Sequence, residues 1–240
     1  MKVTLLQRPT APLVLLATAA WTCYSGDRIE NLYEFASRDE LEELEKIVTS
    51  VIDSGHLSVL EHISYTFGVD RTKRSTTHQL VRHRHASYSQ QSQRYVRIND
   101  ILNTIREDLP PHICQSPSLQ AKFMKSVRES KKAYDEIYDD LIERGCNREQ
   151  AGEEAREVLP ECTPTNIIVT MNLRELMHIS SIRLCSRAQS PIRDLVNEMA
   201  KLVIEDFPTM KRYLVPQCAT LGYCPEPPKR SCRLFPPRKR

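Results

Sequence analysis

The sequence predicts an α+β fold, in which mixed helices surround a largely antiparallel sheet in a single domain of residues 1–224. Helical and strand patterns follow one another without a regular strand–helix–strand repeat, which favours α+β over a parallel arrangement. The 240 residues, 40% of them hydrophobic, are enough for a sizeable core. Residues 225–240 are rich in Pro, Lys and Arg, which predicts a flexible basic tail.

The first third of the chain predicts two strands and two helices. Residues 2–7 predict a short strand, and residues 12–23 predict a helix after a proline-containing turn. Residues 39–54 repeat apolar side chains at helical spacing, so they predict an amphipathic helix that ends at Gly55. Strict alternation of apolar and polar side chains over residues 62–71 predicts a half-buried strand.

The remaining elements rest on the same two periodicities. The predicted helices are residues 72–84, 118–144, 147–158, 172–187 and 190–206, and the predicted extended segments are residues 92–98 and 165–171. The third of these helices begins with Asn147, which Gln150 follows three positions later, and this spacing resembles a capping box.

The charge of the chain is unevenly distributed. The formal net charge is +3, but residues 71–97 carry seven Lys or Arg and no acid, and residues 225–240 carry six basic residues against Glu226. The remainder is therefore strongly acidic, with a formal charge of −9. Because no carboxylate lies near the arginines of residues 71–97 in sequence, we expect these arginines to bind an anion.

The cysteines and the apolar segments indicate a cytoplasmic protein. Eight cysteines without regular spacing do not form the disulfide framework of a small secreted chain. The apolar residues 11–21 could pass for a signal peptide, but a packed helix explains the same letters. No run reaches the roughly 18 apolar residues of a membrane span. Cys218, Cys224 and Cys232 are separated by five and seven residues instead of paired two-residue gaps, so no metal site is predicted.

Residues 79–95 carry the groups that point to chemistry. On a helix over residues 72–84, Gln79 and Arg82 would share a face and Arg84 would point elsewhere, so the two arginines would reach different ligands. The residues that follow supply the donors suited to a phosphate and to the polar edge of a pyrimidine. They are Ser87, Ser89, Gln90, Ser92 and Arg94.

Two other interpretations of this segment remain open at this point. A nucleic-acid-binding module could use residues 71–97 to follow phosphates, but Tyr88 and Tyr95 are the only aromatic side chains there, and the acidic remainder would repel nucleic acid. We therefore expect no nucleic-acid partner. An inactive homologue of an enzyme could also keep the fold without turnover.

Arg82-His83-Arg84, followed after seven residues by Ser92, resembles the signature of the flavin-dependent thymidylate synthases. The resemblance extends in patches over about residues 2–215. These patches are His56 and Ser58, Glu61-His62, Arg156 before Leu159-Pro160, Asn172-Leu173-Arg174, His178 and Arg183.

The resemblance implies binding roles for individual residues. The implied dUMP ligands are Gln79, Arg82, Gln90, Ser92, Arg94, Arg156 and Arg183. The implied FAD ligands are Ser58, Arg82, His83, Arg84, Asn172, Arg174 and His178, and His56 is expected near the flavin. Arg183 is the implied catalytic residue, placed near the uracil to promote ionisation at its N3.

Two residues depart from the family pattern. Gln90 stands where some members have Glu, and His178 stands where others have Asn. On the predicted late helix, Arg174 and His178 share a face, whereas Arg183 lies about 180° away. One helix would then serve FAD on one side and dUMP on the other. The family also implies a homotetramer with its sites at subunit boundaries.

The implied reaction is the reductive methylation of dUMP to dTMP. NADPH would reduce FAD, methylenetetrahydrofolate would donate the carbon, and the reduced flavin would supply the hydride. No cysteine lies in an obviously activating setting, and no Ser-His-Asp arrangement is evident, so we interpret Ser92 as a hydrogen-bond donor.

Overall fold

The computed structural model describes residues 1–238 and confirms the α+β class. The four strands are β1 (Lys2–Gln7), β2 (Ser64–Lys73), β3 (Ala86–Gln90) and β4 (Pro164–Asn172), and they form one antiparallel sheet in the order β1-β2-β4-β3. The described helices are α1 (Pro12–Thr22), α2 (Ile29–Arg38), α3 (Leu41–Asp53), α4 (Arg74–Leu80), α5 (Ile101–Glu107), α6 (Pro111–Cys114), α7 (Pro117–Glu143), α8 (Arg148–Ala155), α9 (Leu173–Arg183), α10 (Ser190–Asp206) and α11 (Gln217–Leu221). None of them is long and apolar enough to cross a membrane.

The chain divides into two compact units. Unit 1 comprises residues 1–2, 69–79 and 89–168, and unit 2 comprises residues 3–68, 80–88 and those from 169 onward. Strands β2 and β4 each contribute residues to both units. The single domain over residues 1–224 stays a prediction.

Unit 1 is built around the long helix α7. Its buried side chains Met124, Val127, Tyr134 and Tyr138 follow helical spacing and pack with residues of α5 and α8. The Tyr134 hydroxyl accepts a hydrogen bond from the backbone N–H of Ile98 at 3.2 Å, which satisfies a polar group inside this core.

Helix α8 begins with the capping box that the sequence predicts. Asn147 Oδ1 accepts the backbone N–H of Gln150 at 2.9 Å, and Gln150 Oε1 accepts the backbone N–H of Asn147 at 3.0 Å. The start of α8 is therefore fixed by residues adjacent in sequence.

Unit 2 contains the apolar face of β2 and the helices that carry the candidate site. Tyr65 and Phe67 are fully buried, as the alternating pattern predicts, and the Tyr65 hydroxyl donates to Asp206 Oδ2 at 2.9 Å. The backbone N–H of Leu173 donates to Ile63 O at 2.8 Å, so the first turn of α9 is attached to the beginning of β2.

The prediction for residues 72–84 is wrong at both ends. Strand β2 continues to Lys73, and α4 stops at Leu80. The Tyr88 hydroxyl lies 2.9 Å from Leu80 O and 2.7 Å from His83 O, so a side chain from β3 shares its hydrogen between two carbonyls where the helix stops. Arg82, His83 and Arg84 therefore lie in the turn after α4, and the prediction that Gln79 and Arg82 share a helix face is wrong.

The following segment also differs from the prediction. The strand is β3 (Ala86–Gln90), whereas residues 92–98 form a turn in which the Val96 N–H donates to Ser92 O at 3.1 Å. Helix α9 ends at Arg183 instead of residue 187. Helices α2, α5, α6 and α11 were not predicted.

The C-terminal segment, residues 222–238 after α11, contacts the rest of unit 2. The Cys224 N–H donates to Pro236 O at 2.7 Å, and Arg187 forms an ion pair with Glu226. The expectation of a flexible tail did not include these contacts. The last two residues of the predicted tail, 239–240, lie outside the described residues.

Candidate functional site

The Arg-His-Arg signature places a buried histidine between two exposed arginines. His83 is 7% exposed, and Arg82 and Arg84 on either side of it are exposed. Within residues 1–238, neither arginine forms an ion pair or a side-chain hydrogen bond with the protein. Two positive charges are therefore available for an anionic ligand.

His83 holds the side chain at the end of α9. Arg183 Nε donates to His83 Nε2 at 3.1 Å, and the His178 ring meets the His83 ring edge-on at a centroid distance of 6.1 Å. Because Nε2 is the acceptor, the imidazole proton is on Nδ1, which lies 3.6 Å from Glu175 Oε1. This tautomer directs the lone pair of His83 at Arg183.

His83 is uncharged near neutral pH. Burial, reinforced by Arg183 and then by His178, lowers the pKa of His83 from 6.5 to about 4 and outweighs the nearby Glu175 carboxylate. A neutral imidazole orients Arg183 without cancelling its charge. Arg183 can therefore stabilise negative charge on a ligand from a fixed position.

Helix α9 presents its polar residues to two different cavities in unit 2. Arg174 and His178 line a cavity of about 600 Å³, and Arg183 lines another of about 270 Å³. Arg174 Nε lies 3.3 Å from Glu61 Oε1, and both side chains remain about half exposed. Ser181 and Gln217 line both cavities, so the two cavities adjoin, and the division of α9 between FAD and dUMP stays a prediction.

The larger cavity has a lining that fits a flavin. Leu57, Met177 and Leu221 offer apolar surface for a ring system, and the remaining lining supplies hydrogen-bonding groups for its polar edge. These groups are Glu61, His85, Asn172, Arg174, Glu175, His178, Ser181, Tyr213, Gln217 and Thr220. Of these, His85, Ser181 and Gln217 carry no recognisable signal in the sequence as site residues.

Three of the residues predicted to contact or lie near FAD, Asn172, His56 and Ser58, line or flank the larger cavity. Asn172 caps α9, its Oδ1 accepting the Glu175 N–H at 2.9 Å. His56 and Ser58 are exposed and flank Leu57 of the larger cavity, and the Tyr24 hydroxyl lies 3.4 Å from His56 Nε2. Asn172 thus stabilises the helix whether or not it also touches a ligand.

The predicted pyrimidine-binding residues of unit 1 are oriented by their neighbours. The Gln90 amide nitrogen donates to Thr77 Oγ1 at 3.0 Å and to Thr165 Oγ1 at 3.3 Å, which leaves its Oε1 as an acceptor. Ser92 Oγ accepts the Arg94 N–H at 3.2 Å, which leaves the hydroxyl hydrogen to donate. These roles agree with an acceptor at Gln90 and a donor at Ser92.

The expectation that the arginines of residues 71–97 all need an external anion is wrong, and a lysine of this segment is also paired. Four of the seven pair with carboxylates that are distant in sequence. The pairs are Arg71 with Glu107, Lys73 with Asp108, Arg94 with Glu149 and Glu153, and Arg97 with Asp135 and Asp139. Local charge counting could not include these partners, because they come from α5, α7 and α8 or the residue after α5.

Arg156 has a basic neighbour that the prediction missed. Burial and then the charge of Arg156 lower the pKa of the Arg74 guanidinium, and Glu161 only partly offsets this. Arg156 itself lies 3.7 Å from the exposed Glu157. The mutual repulsion of Arg74 and Arg156 favours an anion beside them, and the sequence signal for Arg74 was its place in the basic run.

Unpaired guanidinium groups and oriented amide and hydroxyl groups are what the binding of an anionic nucleotide requires. The fold and the exposed, unpaired Arg82 and Arg84 define an α+β protein with a positively charged surface suited to an anionic ligand.

Comparisons with known proteins identify the family. The family model of the thymidylate synthase complementing protein matches residues 4–209. Flavin-dependent thymidylate synthases from Geobacter sulfurreducens and Clostridium tetani are 43% and 40% identical, covering 94% of this chain and 91% and 90% of the relatives. A crystal structure of the UMP/dUMP methylase PolB from Streptomyces cacaoi bound with 5-Br dUMP is similar with a TM-score of 0.63 and 26% identity, covering 87% of this chain and 91% of that one. The chain belongs to the flavin-dependent thymidylate synthase family.

Proposed function

We propose that this protein methylates dUMP to dTMP, with FAD as redox cofactor, NADPH as reductant and methylenetetrahydrofolate as carbon donor. The names of the relatives support this activity, as does the UMP/dUMP methylase structure. The single observation that carries the proposal is the buried, neutral His83 bonded to Arg183 and flanked by two unpaired arginines.

The residues divide between the two ligands. dUMP is held by Gln79, Arg82, Gln90, Ser92, Arg94, Arg156 and Arg183. FAD is held by Ser58, Arg82, His83, Arg84, Asn172, Arg174 and His178, with His56 near the flavin. The acceptor oxygen left on Gln90 and the unpaired charges of Arg82 and Arg84 support these assignments.

The protein contributes charge and positioning to the reaction. Arg183 favours negative charge on the uracil ring, because its guanidinium is permanently charged and is held by a neutral acceptor. Ser92 donates a hydrogen bond instead of acting as the nucleophile, since among residues 1–238 its hydroxyl has no hydrogen-bonded general base and accepts the Arg94 N–H. When bound, FAD supplies the redox chemistry of the reaction.

The active form is a cytoplasmic homotetramer with sites at subunit boundaries. Exposed aromatic and aliphatic side chains near α1 and α2 support a subunit interface, since Tyr24 is 75%, Ile29 62% and Phe35 61% exposed. All eight cysteines are free thiols in the described chain, which supports a reducing compartment.

The test combines flavin spectroscopy with turnover. The purified protein is titrated anaerobically with NADPH, with and without dUMP, and dTMP formation is then measured with methylenetetrahydrofolate. Bleaching of the flavin bands at a rate that responds to dUMP, followed by dTMP formation, is the expected result. A protein that neither binds added FAD nor responds to dUMP contradicts the proposal, and its basic segment would then be tested against nucleic acids.

A further inference from the structure

Four of the eight cysteines lie around one cavity in unit 2. The cavity, of about 270 Å³, is lined by Cys185 from the turn after α9, Cys218 from α11, and Cys224 and Cys232 from the C-terminal segment. The sequence spacing of Cys218, Cys224 and Cys232 did not predict a metal site. The structure adds a fourth thiol from a distant part of the chain.

Several contacts bring the C-terminal thiols to this cavity. Arg187, in the turn that also carries Cys185, forms an ion pair with Glu226, and the Cys224 N–H donates to Pro236 O at 2.7 Å. All four cysteines line this one cavity, so their thiols border the same space.

We propose that Cys185, Cys218, Cys224 and Cys232 bind one Zn²⁺ as a tetrathiolate site. Four thiolates are the ligand set of closed, structural zinc sites, which stabilise small segments with few apolar contacts. Each thiol loses its proton as its sulfur binds the metal, so one zinc releases four protons. The four cysteines are not among the residues assigned to FAD or dUMP, and the bound zinc fixes the C-terminal segment to the turn after α9.

Zinc binding requires a local contraction of the cavity. Among residues 1–238, no group of three or more His, Cys, Asp or Glu lies in a metal-binding arrangement, and Zn–S bonds are about 2.3 Å long. The thiols come from a five-residue helix, a turn and the C-terminal segment. Such elements can move over short distances without disturbing the buried core.

The charges of the cavity suit this site. A zinc ion with four thiolates carries a net charge of −2, and Arg187 and Arg230 line the same cavity. Glu226 also lines it and forms an ion pair with Arg187. Arg187 and Arg230 therefore offset part of the negative charge of the metal centre.

The test measures metal content and sulfur ligation in the full chain. The protein, without an affinity tag, is purified under reducing conditions from zinc-supplemented cultures, and its zinc is quantified by mass spectrometry and examined by X-ray absorption. We expect one zinc per chain with four sulfur ligands at about 2.3 Å. The variants Cys224→Ser and Cys232→Ser should lose at least about nine-tenths of the metal, because each removes one of four ligands. The exposed cysteines outside the cavity give the controls Cys23→Ser and Cys114→Ser, which should retain it.

Three outcomes overturn the proposal. The wild-type chain could hold no zinc with its thiols reduced, the zinc could be bound by nitrogen or oxygen, or the intact mass could show that the four cysteines form disulfides. None of these readouts depends on dTMP formation, so failure of the zinc site is distinguishable from failure of the proposed activity.

Discussion

At the scale of single residues, the pair of His83 and Arg183 decides what the site can do. Arg183 Nε donates to a neutral imidazole, which fixes this nitrogen without placing a negative charge beside it. Burial of His83 is what keeps the imidazole neutral. In the signature, Arg82 and Arg84 thus supply two positive charges for a ligand, and His83 positions the side chain of Arg183.

Replacing Arg183 tests its assigned role directly. Arg183→Ala should lower kcat for dTMP formation by about 100-fold or more, the usual cost of removing a preorganised charged donor. Arg183→Lys should recover only part of this loss, because lysine lacks the Nε–H that His83 accepts. Steady-state assays give kcat, with Arg144→Ala as a control, since Arg144 follows α7, is 72% exposed and pairs with Asp140 of that helix. An unchanged kcat in Arg183→Ala would mean that the role is misassigned.

The depressed pKa of His83 predicts a pH-dependent stability. The unfolded chain binds a proton at this residue below its ordinary pKa of 6.5, and the folded chain does so only near 4. The contribution of neutral His83 is therefore complete above pH 6.5 and is lost as the pH falls from 6.5 to about 4. Thermal unfolding midpoints over this range should fall less steeply for His83→Gln than for the wild type. The exposed His112 gives the control His112→Gln, and equal slopes for His83→Gln and wild type would contradict the pKa.

At the scale of elements, local signals were predictable and distant ones were not. Helix α8 was placed correctly because its capping box lies within four consecutive residues. The end of α4 depends on Tyr88, which lies beyond the helix, and the charge of Arg94 depends on carboxylates of α8. The signature residues could be found from the sequence, but the acidic partners that neutralise four basic residues could not, since the fold alone brings them together.

Gly152 in α8 allows a close approach of the turn that carries Ser92 and Arg94. A Cβ at this position would lie 2.6 Å from Arg94 O and 3.1 Å from Gln93 O. Gly152→Ala must therefore displace this turn, at a cost of about 1–3 kcal/mol. We expect KM for dUMP to rise by roughly tenfold, equivalent to about 1.4 kcal/mol, while kcat changes less.

The control for this prediction lies on the same helix. Glu154→Ala changes an exposed side chain of α8 and should leave KM unaltered. Circular dichroism would verify that both variants are folded. A folded Gly152→Ala variant with the wild-type KM would show that the turn of residues 92–96 does not contribute to dUMP binding.

At the scale of the whole molecule, the basic run of residues 71–97 carries less unpaired positive charge than its sequence suggests. The acidic remainder does not simply surround a basic patch, because carboxylates of unit 1 pair with four of its seven basic residues. What remains available is confined to a few arginines, Arg82 and Arg84 among them. A short anionic ligand suits such a surface better than a long nucleic acid, which needs an extended basic track.

The exposed apolar side chains near α2 predict how the molecule assembles. Phe35 is 61% exposed, so a charge there should disrupt a subunit interface without disturbing the core of the chain. The wild type should have a native mass of about four times the 27.7 kDa chain by light scattering, and Phe35→Glu should shift it to smaller species. Activity should fall together with the mass, because the proposed sites require neighbouring subunits. Ser37→Glu places the same charge on another side of α2 and should remain tetrameric and active. A Phe35→Glu protein with unchanged mass would show that this surface is not the interface.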